Sequence, residues 1–324
     1  MTDSPTRARV PRRADPTTVF GLGLFIVLLV ANLATNPSTF GLGSLPTTLG
    51  FAAPIAMVAI AATVPMLMGN GGIDISVGPV AGVLNVFTVI VLVTRAGITS
   101  PFIVVPLVVL GGMAIGLVTG LIVAYARIQP IVVTLGMYLI AAGASLVISP
   151  TPGGSVPRWL SALAGDFSFV LFVVAILAWW LFRQLPIYRY LMAYGGDERA
   201  VYTTGINVKL IRVTAFVVGG FFSGLAALAL SAMLGSADPT VGVDYTLLGI
   251  AAATLGGVSL MGGIGGITRA LLGALSIFLL QNLLTFLGVS AFALQVAYGI
   301  VLVVAVGING WLGGAWARGR KEAA

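Results

Sequence analysis

Residues 101–125 read PFIVVPLVVLGGMAIGLVTGLIVAY and contain no charged side chain. A helix needs about 20 mostly apolar residues to cross a bilayer, so this run is long enough to span one. Of the 324 residues in the chain, 59% are hydrophobic and only 8% are charged. A single soluble core of this length could not bury that much apolar surface, so we expect a membrane protein.

The composition excludes several kinds of chemistry. The chain contains no histidine and no cysteine, which excludes thiol nucleophiles, disulfides, histidine acid–base catalysis and nearly all zinc sites. An intramembrane aspartyl protease needs two carboxylates, whereas only Asp74 falls among the apolar runs. We therefore predict no enzyme activity and no catalytic, cofactor-binding or metal-binding residues.

Apolar runs separated by charges and by Gly, Pro and Asn clusters predict an all-α polytopic membrane bundle of about ten transmembrane helices. The predicted spans are 18–34, 47–68, 76–94, 101–125, 129–149, 167–184, 213–233, 245–261, 268–288 and 292–312. These spans divide the chain into an N-terminal tail, 1–17, a transmembrane domain, 18–312, and a C-terminal tail, 313–324. Because no clear cleavage site follows the first run, we interpret it as an uncleaved helix rather than a signal peptide.

The charge distribution gives an orientation. With the N-terminus in the cytoplasm, only Arg95 and Arg158 of the 16 Lys and Arg residues face outward, which leaves 14 inside (16 − 2 = 14). Cytoplasmic loops of membrane proteins carry an excess of positive charge, so ten spans with both termini in the cytoplasm satisfy this rule. The net charge of +7 is thereby explained without nucleic-acid binding.

The longest internal polar segment, residues 185–212, contains the signals of a short amphipathic helix. Asp197 can accept hydrogen bonds from backbone N–H groups at its start, and Glu198 suits the positive end of its dipole. Gly205 fits the left-handed position that closes such a helix. Two side chains would then be available for contact with a partner: Val201 and Tyr202. The alternative is a solvated connector between spans six and seven.

The stretch GNGGIDISVGP, residues 69–79, places an aspartate between two apolar runs. We expect Asp74 at the cytoplasmic end of a hairpin, as a cap or in a wet cavity, and either it or Ser76 can cap span three. One interpretation is a capped hairpin that fixes helix packing, and the other is a role in gating or partner contact. The residues assigned to this motif are Gly71, Gly72, Asp74, Ser76 and Gly78. A second glycine-rich stretch, 255–269, lacks the Gly-Lys-Ser/Thr of a phosphate loop and predicts close packing or a tight turn.

Four stretches occur in a recognisable order: GGIDISVG (71–78), ARIQPIVVTLG (126–136), GGDERAVYTTGINV (195–208) and YTLLGIAAATLGGVSLMGGIGG (245–266). In these stretches the chain resembles the ribose-type permease subunits of bacterial ATP-binding-cassette (ABC) importers. The resemblance implies a type II importer fold, like that of the vitamin B12 permease. It also implies two permease subunits, two cytoplasmic ATPase subunits that hold ATP and Mg, and a secreted sugar-binding protein. The third stretch then corresponds to the coupling helix that docks on the ATPase, with Gly196, Asp197, Glu198, Arg199, Ala200 and Gly205.

The main alternative is a stand-alone ion-coupled secondary transporter or channel. Proton coupling usually leaves several carboxylates or histidines within the spans, whereas sodium coupling can use backbone carbonyls and hydroxyls and stays open. Polar and aromatic residues within apolar spans are candidates for the substrate path: Asn85, Thr119, Thr134, Tyr138, Phe278, Gln281 and Asn282. Such residues also hold helices together, so packing competes with this interpretation at each position. The solute, and the choice between a homodimer and a paired heterodimer, stay open.

Overall fold

The structure is a computed structural model that describes residues 16–290, 293–297, 299–300, 303–304 and 307. The described residues form helices and connectors without a β-strand. The helices are α1 (Pro16–Thr35), α2 (Leu45–Met66), α3 (Val77–Val86), α4 (Pro101–Tyr125), α5 (Pro130–Ile148), α6 (Arg158–Ser161), α7 (Phe169–Gln184), α8 (Pro186–Gly196), α9 (Glu198–Thr203), α10 (Val208–Leu234), α11 (Val241–Leu255) and α12 (Ile267–Phe286). A π-helical segment, Phe87–Arg95, extends α3, and two 3₁₀ turns cover Pro37–Phe40 and Ala162–Ala164.

Seven helical segments among the described residues are long and apolar enough to cross a membrane. They are Thr17–Thr35, Leu45–Met66, Val77–Arg95, Pro101–Tyr125, Pro130–Ile148, Val208–Leu234 and Ile267–Phe286. An eighth is possible if α6 with its 3₁₀ turn and α7, bent by 81°, form one broken span. The polytopic helical bundle is therefore confirmed. The predicted spans 167–184 and 245–261 correspond to the shorter α7 and α11, and 292–312 lies largely outside the described residues.

Proline and glycine set several helix boundaries. Pro101, Pro130 and Pro186 each occupy the first helical position, where the missing N–H group has no intrahelical partner to lose. At the other end, Gly235 closes α10 with a φ of 67°, in the left-handed region that glycine adopts without strain. The apolar runs therefore become helices whose ends are set by local chemistry.

Helix α2 forms the centre of the bundle, and 89% of its most apolar stretch is buried. It packs against α10, α11 and α12, while α10 also packs closely along α4. Glycines allow that last approach: a side chain on Gly112 or Gly116 would collide with backbone atoms of α10, and one on Gly220 would collide with α4. Small residues four apart are a common way for membrane helices to bring their backbones together.

Outward-facing apolar side chains cover the periphery, especially on α1, α4, α5 and α7. Val147 on α5 is 86% exposed and Phe102 on α4 is 88% exposed. Surfaces of this kind are stable against lipid but not against water, which agrees with a bundle embedded in a bilayer.

Charged side chains distinguish the two ends of the bundle. Arg127 and Arg212 line one cavity near the end of α2, and the Lys209 ammonium lies 4.7 Å from the centre of the Tyr125 ring. We call this the basic end. At the opposite end, Arg95 donates a 2.8 Å hydrogen bond to the Ile148 carbonyl oxygen. These contacts place Arg127, Lys209 and Arg212 at one end of the bundle and Arg95 at the other, and the orientation stays a prediction.

Candidate functional site

The short helix α9 begins and ends through the predicted local interactions. The Asp197 carboxylate accepts a 3.0 Å hydrogen bond from the backbone N–H group of Ala200, which identifies it as the N-cap. Glu198 occupies the first turn. After the helix, Gly205 adopts a φ of 77°. The cap, the acidic first turn and the left-handed glycine are confirmed.

The exposure of α9 differs from the prediction at one position. Tyr202 is 74% exposed, as expected for a residue available to a partner. Val201 is only 6% exposed, because it packs into the main hydrophobic core. The prediction that Val201 is available for contact is therefore wrong: neighbouring positions on a helix face different directions, and Val201 anchors the helix.

The end of α8 and two glycine-containing connectors meet beneath α9. Gly195 lies directly against the Leu67 carbonyl oxygen and the Gly263 nitrogen, and Gly69 and Gly262 lie against each other. The Gly263 N–H group donates a 3.0 Å hydrogen bond to the Leu67 carbonyl oxygen. We call these four glycines the glycine junction. They join the start of the α9 segment to the α2–α3 and α11–α12 connectors, which confirms the close packing predicted for the second glycine-rich stretch.

Polar side chains reinforce this junction. One oxygen of Glu198 accepts a 2.6 Å hydrogen bond from the Asn70 amide, and the other accepts a 2.8 Å charged hydrogen bond from Arg212. Arg212 also donates a 2.9 Å hydrogen bond to the Tyr194 hydroxyl. Burial raises the pKa of Tyr194 to about 12, and this effect outweighs the opposing influence of Arg212. Glu198 thus joins α9 to the α2–α3 connector and to α10.

Asn70, Arg212 and Tyr194 belong to this site but were not predicted from the sequence. One signal was present, because Asn70 lies between two glycines and asparagine is one of the few non-glycine residues that tolerate positive φ. Its observed φ is 47°. Its partner Glu198 lies 128 positions away, which no local pattern could indicate.

Aromatic side chains support α8, which leads into α9. The Trp179 ring lies 6.0 Å from Phe182 and 6.2 Å from Tyr188, centre to centre, with edge-to-face geometry. Phe222 of α10 lies 6.1 Å from Trp179. Such contacts add to the stabilisation that burial provides. The α9 segment is therefore held on a packed base rather than on a flexible connector.

Asp74 and Ser76 form a buried turn. Its carboxylate accepts hydrogen bonds from the Ser76 backbone N–H group at 2.8 Å and the Ser76 hydroxyl at 2.6 Å. Asp74, Thr119 of α4 and Ser223 of α10 share a cavity of about 10 Å³, which is close to the size of one water molecule. Asp74 therefore lies in the α2–α3 connector, where the sequence placed it, but it is only 6% exposed and is enclosed by the bundle. Ser76 precedes α3 without a side-chain cap, so the predicted cap is replaced by an aspartate turn.

The motif glycines have different surroundings. Gly72 lies directly against the Pro65 carbonyl oxygen, and Gly78 lies against Gly242, so neither position has room for a side chain. Gly71 has open space around it, but its φ of 76° favours glycine. The α2–α3 connector therefore depends on glycine for its shape, and α3 depends on Gly78 for its close contact with α11.

Three of the predicted substrate-path residues make packing contacts. Asn85 donates a 2.9 Å hydrogen bond to Ser231 and accepts one from the Asp238 backbone at 3.0 Å. Thr119 donates to a carbonyl oxygen of its own helix, and Thr134 donates a 3.3 Å hydrogen bond to the Ile73 carbonyl oxygen. The bonds of Asn85 and Thr134 hold separate segments together, whereas the bond of Thr119 lies within α4.

Of the four remaining candidates, one lies on α5, one helical turn after Thr134, and three lie on α12. Tyr138 lies on α5, which packs against α3 and α4. Phe278, Gln281 and Asn282 lie on α12, which packs against α1, α2 and α11. Phe278 is only 8% exposed, and the Asn282 side-chain oxygen is buried without a hydrogen-bond partner among the described residues. The structure therefore separates the seven candidates into at least two regions, and their role in a substrate path stays a prediction.

Comparisons with known proteins cover most of the chain. Residues 44–306 match the family described as branched-chain amino acid transport system / permease component. The ribose import permease protein of Haemophilus influenzae is 34% identical, over 90% of this chain and 92% of its own length. The ribose import permease protein of Escherichia coli K12 is 33% identical, over 87% and 90%. The D-allose transport system permease protein of E. coli K12 is 30% identical, over 79% and 82%.

No solved structure matches the chain. The family match includes the α2–α3 connector, the glycine junction and α9, so the whole candidate site lies within the shared region. The chain belongs to the branched-chain amino acid transport system / permease component family and, within it, is similar to ribose-type permeases over most of its length.

Proposed function

We propose that this chain is the transmembrane permease subunit of an ABC importer. It would form the translocation path for a monosaccharide or a similar small polar solute. Family membership supports transport, and the names of the relatives, which include ribose, allose and galactose permeases, support a sugar. The subunit would bind no cofactor, because a separate ATPase subunit would hold ATP and Mg and carry out hydrolysis.

The proposed partners are an ATPase at the basic end, a second permease subunit and a secreted binding protein at the opposite end. The pair of permeases would be a homodimer or a paired heterodimer. Support for the ATPase contact comes from α9, where Tyr202 and Arg199 line an open groove of about 1010 Å³. Exposed side chains on a firmly packed helix suit a contact that transmits force.

We propose ten spans, a type II importer fold and cytoplasmic termini in the inner membrane. The basic end would then face the cytoplasm, in agreement with the positive-inside rule. Helices α7 and α11 would complete two of the ten spans despite their length. The tenth predicted span, 292–312, would return the C-terminus to the cytoplasm.

The observation that carries this proposal is the geometry of α9: a capped helix, held on the glycine junction, with an exposed outer face. The test is solute uptake into vesicles that contain the subunit with its ATPase and binding protein. We expect uptake of a labelled monosaccharide to require ATP. Uptake by this chain alone, driven by a proton or sodium gradient without nucleotide, would instead establish the ion-coupled alternative.

A further inference from the structure

The Glu198 side chain binds two groups of the permease itself, although it also lines the groove that Tyr202 lines. It is 34% exposed, whereas Tyr202 on the same helix is 74% exposed. Both carboxylate oxygens are occupied, one by the Asn70 amide at 2.6 Å and the other by Arg212 at 2.8 Å. Glu198 therefore holds α9 to the bundle, while Tyr202 is free to meet another protein.

Asn70 lies in a connector with little freedom to deform. Its φ of 47° falls beside those of Gly69, 64°, and Gly71, 76°, so three successive residues are left-handed. Gly69 also lies against the Met261 carbonyl oxygen. Four residues after Asn70 the connector reaches Asp74, which is buried inside the bundle. A displacement of the Asn70 amide is thus passed along four residues of backbone, in which Gly72 lies directly against the Pro65 carbonyl oxygen.

Arg212 provides a second route to the same interior region. It belongs to the second turn of α10, and further along this helix Gly220 and Ser223 line the small cavity that Asp74 also lines. The two partners of Glu198 therefore lead, through different parts of the chain, to the two sides of one cavity. A movement of α9 relative to Asn70 and Arg212 therefore changes the position of the α2–α3 connector relative to α10.

We propose that the hydrogen bond between Asn70 and Glu198 is the link through which movement of α9 reaches the α2–α3 connector. This rests on the proposed function, since it requires a partner that moves α9. Asn70 is a positioning residue here: it is exposed and lines the same groove as Glu198 and Tyr202, but it acts through Glu198. Coupling between sites is carried by packed elements and hydrogen-bond networks that respond to both, and this contact provides such a connection.

The test exchanges the hydrogen-bond donor and acceptor between positions 70 and 198. In Asn70→Asp, two carboxylates face each other at hydrogen-bond distance, which opposes the contact. In the double variant Asn70→Asp with Glu198→Gln, the glutamine amide donates to the carboxylate introduced at position 70, while its carbonyl oxygen accepts from Arg212. We expect the single variant to lose uptake by about fivefold or more, in the usual range of coupling effects, and the double variant to recover most of it.

A matched control is Asn207→Asp, which adds the same charge nearby. Asn207 is the N-cap of α10 and accepts from the Leu210 N–H group at 3.2 Å, and aspartate caps a helix equally well. This variant should transport normally. Normal uptake by Asn70→Asp, or a double variant no better than the single one, would overturn the proposal.

Two further measurements separate this proposal from the proposed function. The wild-type complex must first show ATP-dependent uptake, and its absence would count against the importer itself. The Asn70→Asp subunit should still purify with the ATPase and support ATP hydrolysis, so that fewer solute molecules enter per ATP hydrolysed. Loss of ATPase binding in that variant would instead assign Asn70 to docking and contradict the link.

Discussion

Replacing Gly195 with alanine tests the glycine junction directly. A methyl group at this position would collide with the Leu67 carbonyl oxygen and the Gly263 nitrogen, and both are backbone atoms that cannot rotate away. Overpacking costs about 1–3 kcal/mol, and losing the Gly263–Leu67 hydrogen bond costs about 1 kcal/mol. Alanine recovers up to about 1 kcal/mol in helix propensity. We therefore expect Gly195→Ala to destabilise the protein by about 1–3 kcal/mol.

The adjacent position supplies the control. A methyl group on Gly196 would have no neighbouring atom within 4 Å, so Gly196→Ala keeps the gain in propensity without the collision. Thermal unfolding of both variants in the same detergent and at the same scan rate measures the difference, and hydrogen exchange at the Gly263 amide locates it. Equal unfolding temperatures of the two variants, with unchanged hydrogen exchange at Gly263, would refute the close packing of the glycine junction.

Three side-chain environments give further predictions. Asp74→Asn keeps an acceptor for Ser76 and should retain uptake. Asp74→Ala leaves the two Ser76 donors unpaired and should cost about 1–3 kcal/mol of stability. Loss of uptake in both variants would show that the charge is needed. Asp197→Ala removes the bond to Ala200 and should weaken α9 by about 0.5–2 kcal/mol, read as faster hydrogen exchange there, while Asp197→Asn should not. Burial raises the pKa of Tyr194 from 10.0 to about 12, so its stabilising contribution is complete below pH 10 and is lost as the pH rises toward 12. The difference in phenolate absorbance between the wild-type protein and Tyr194→Phe reports this one tyrosine and should titrate near 12. A midpoint near 10 would contradict the prediction.

The features that could be predicted from sequence depend on neighbouring residues. A long apolar run becomes a helix whatever surrounds it, so seven of the predicted spans correspond to helical segments of spanning length. The start of α9 depends on Asp197 and Ala200, three positions apart, and its end depends on the conformational freedom of Gly205. Such interactions leave local patterns.

The features that could not be predicted depend on distant parts of the chain. Asn70 and Glu198 are 128 positions apart, and the glycine junction brings the end of α8 and two connectors together. Asp74 lies between α2 and α3 as predicted, but the sequence could not show how deeply the bundle encloses it. The connector after α2 folds back into the bundle, and α3 begins beside α11. Val201 was misassigned because a helix of six residues gives too short a pattern to define its buried face.

The central claim is that α9 is the cytoplasmic contact through which a separate ATPase moves this subunit. Because the chain contains no cysteine, single-cysteine variants can be cross-linked without background from the subunit itself. The measurement compares Tyr202→Cys, where the native side chain is 74% exposed, with Leu42→Cys at the opposite end, where it is 91% exposed. We expect only Tyr202→Cys to cross-link to the ATPase and to react with a membrane-impermeant thiol reagent from the cytoplasmic side. Labelling of Tyr202→Cys from the outer side, or cross-linking through Leu42→Cys instead, would contradict the claim.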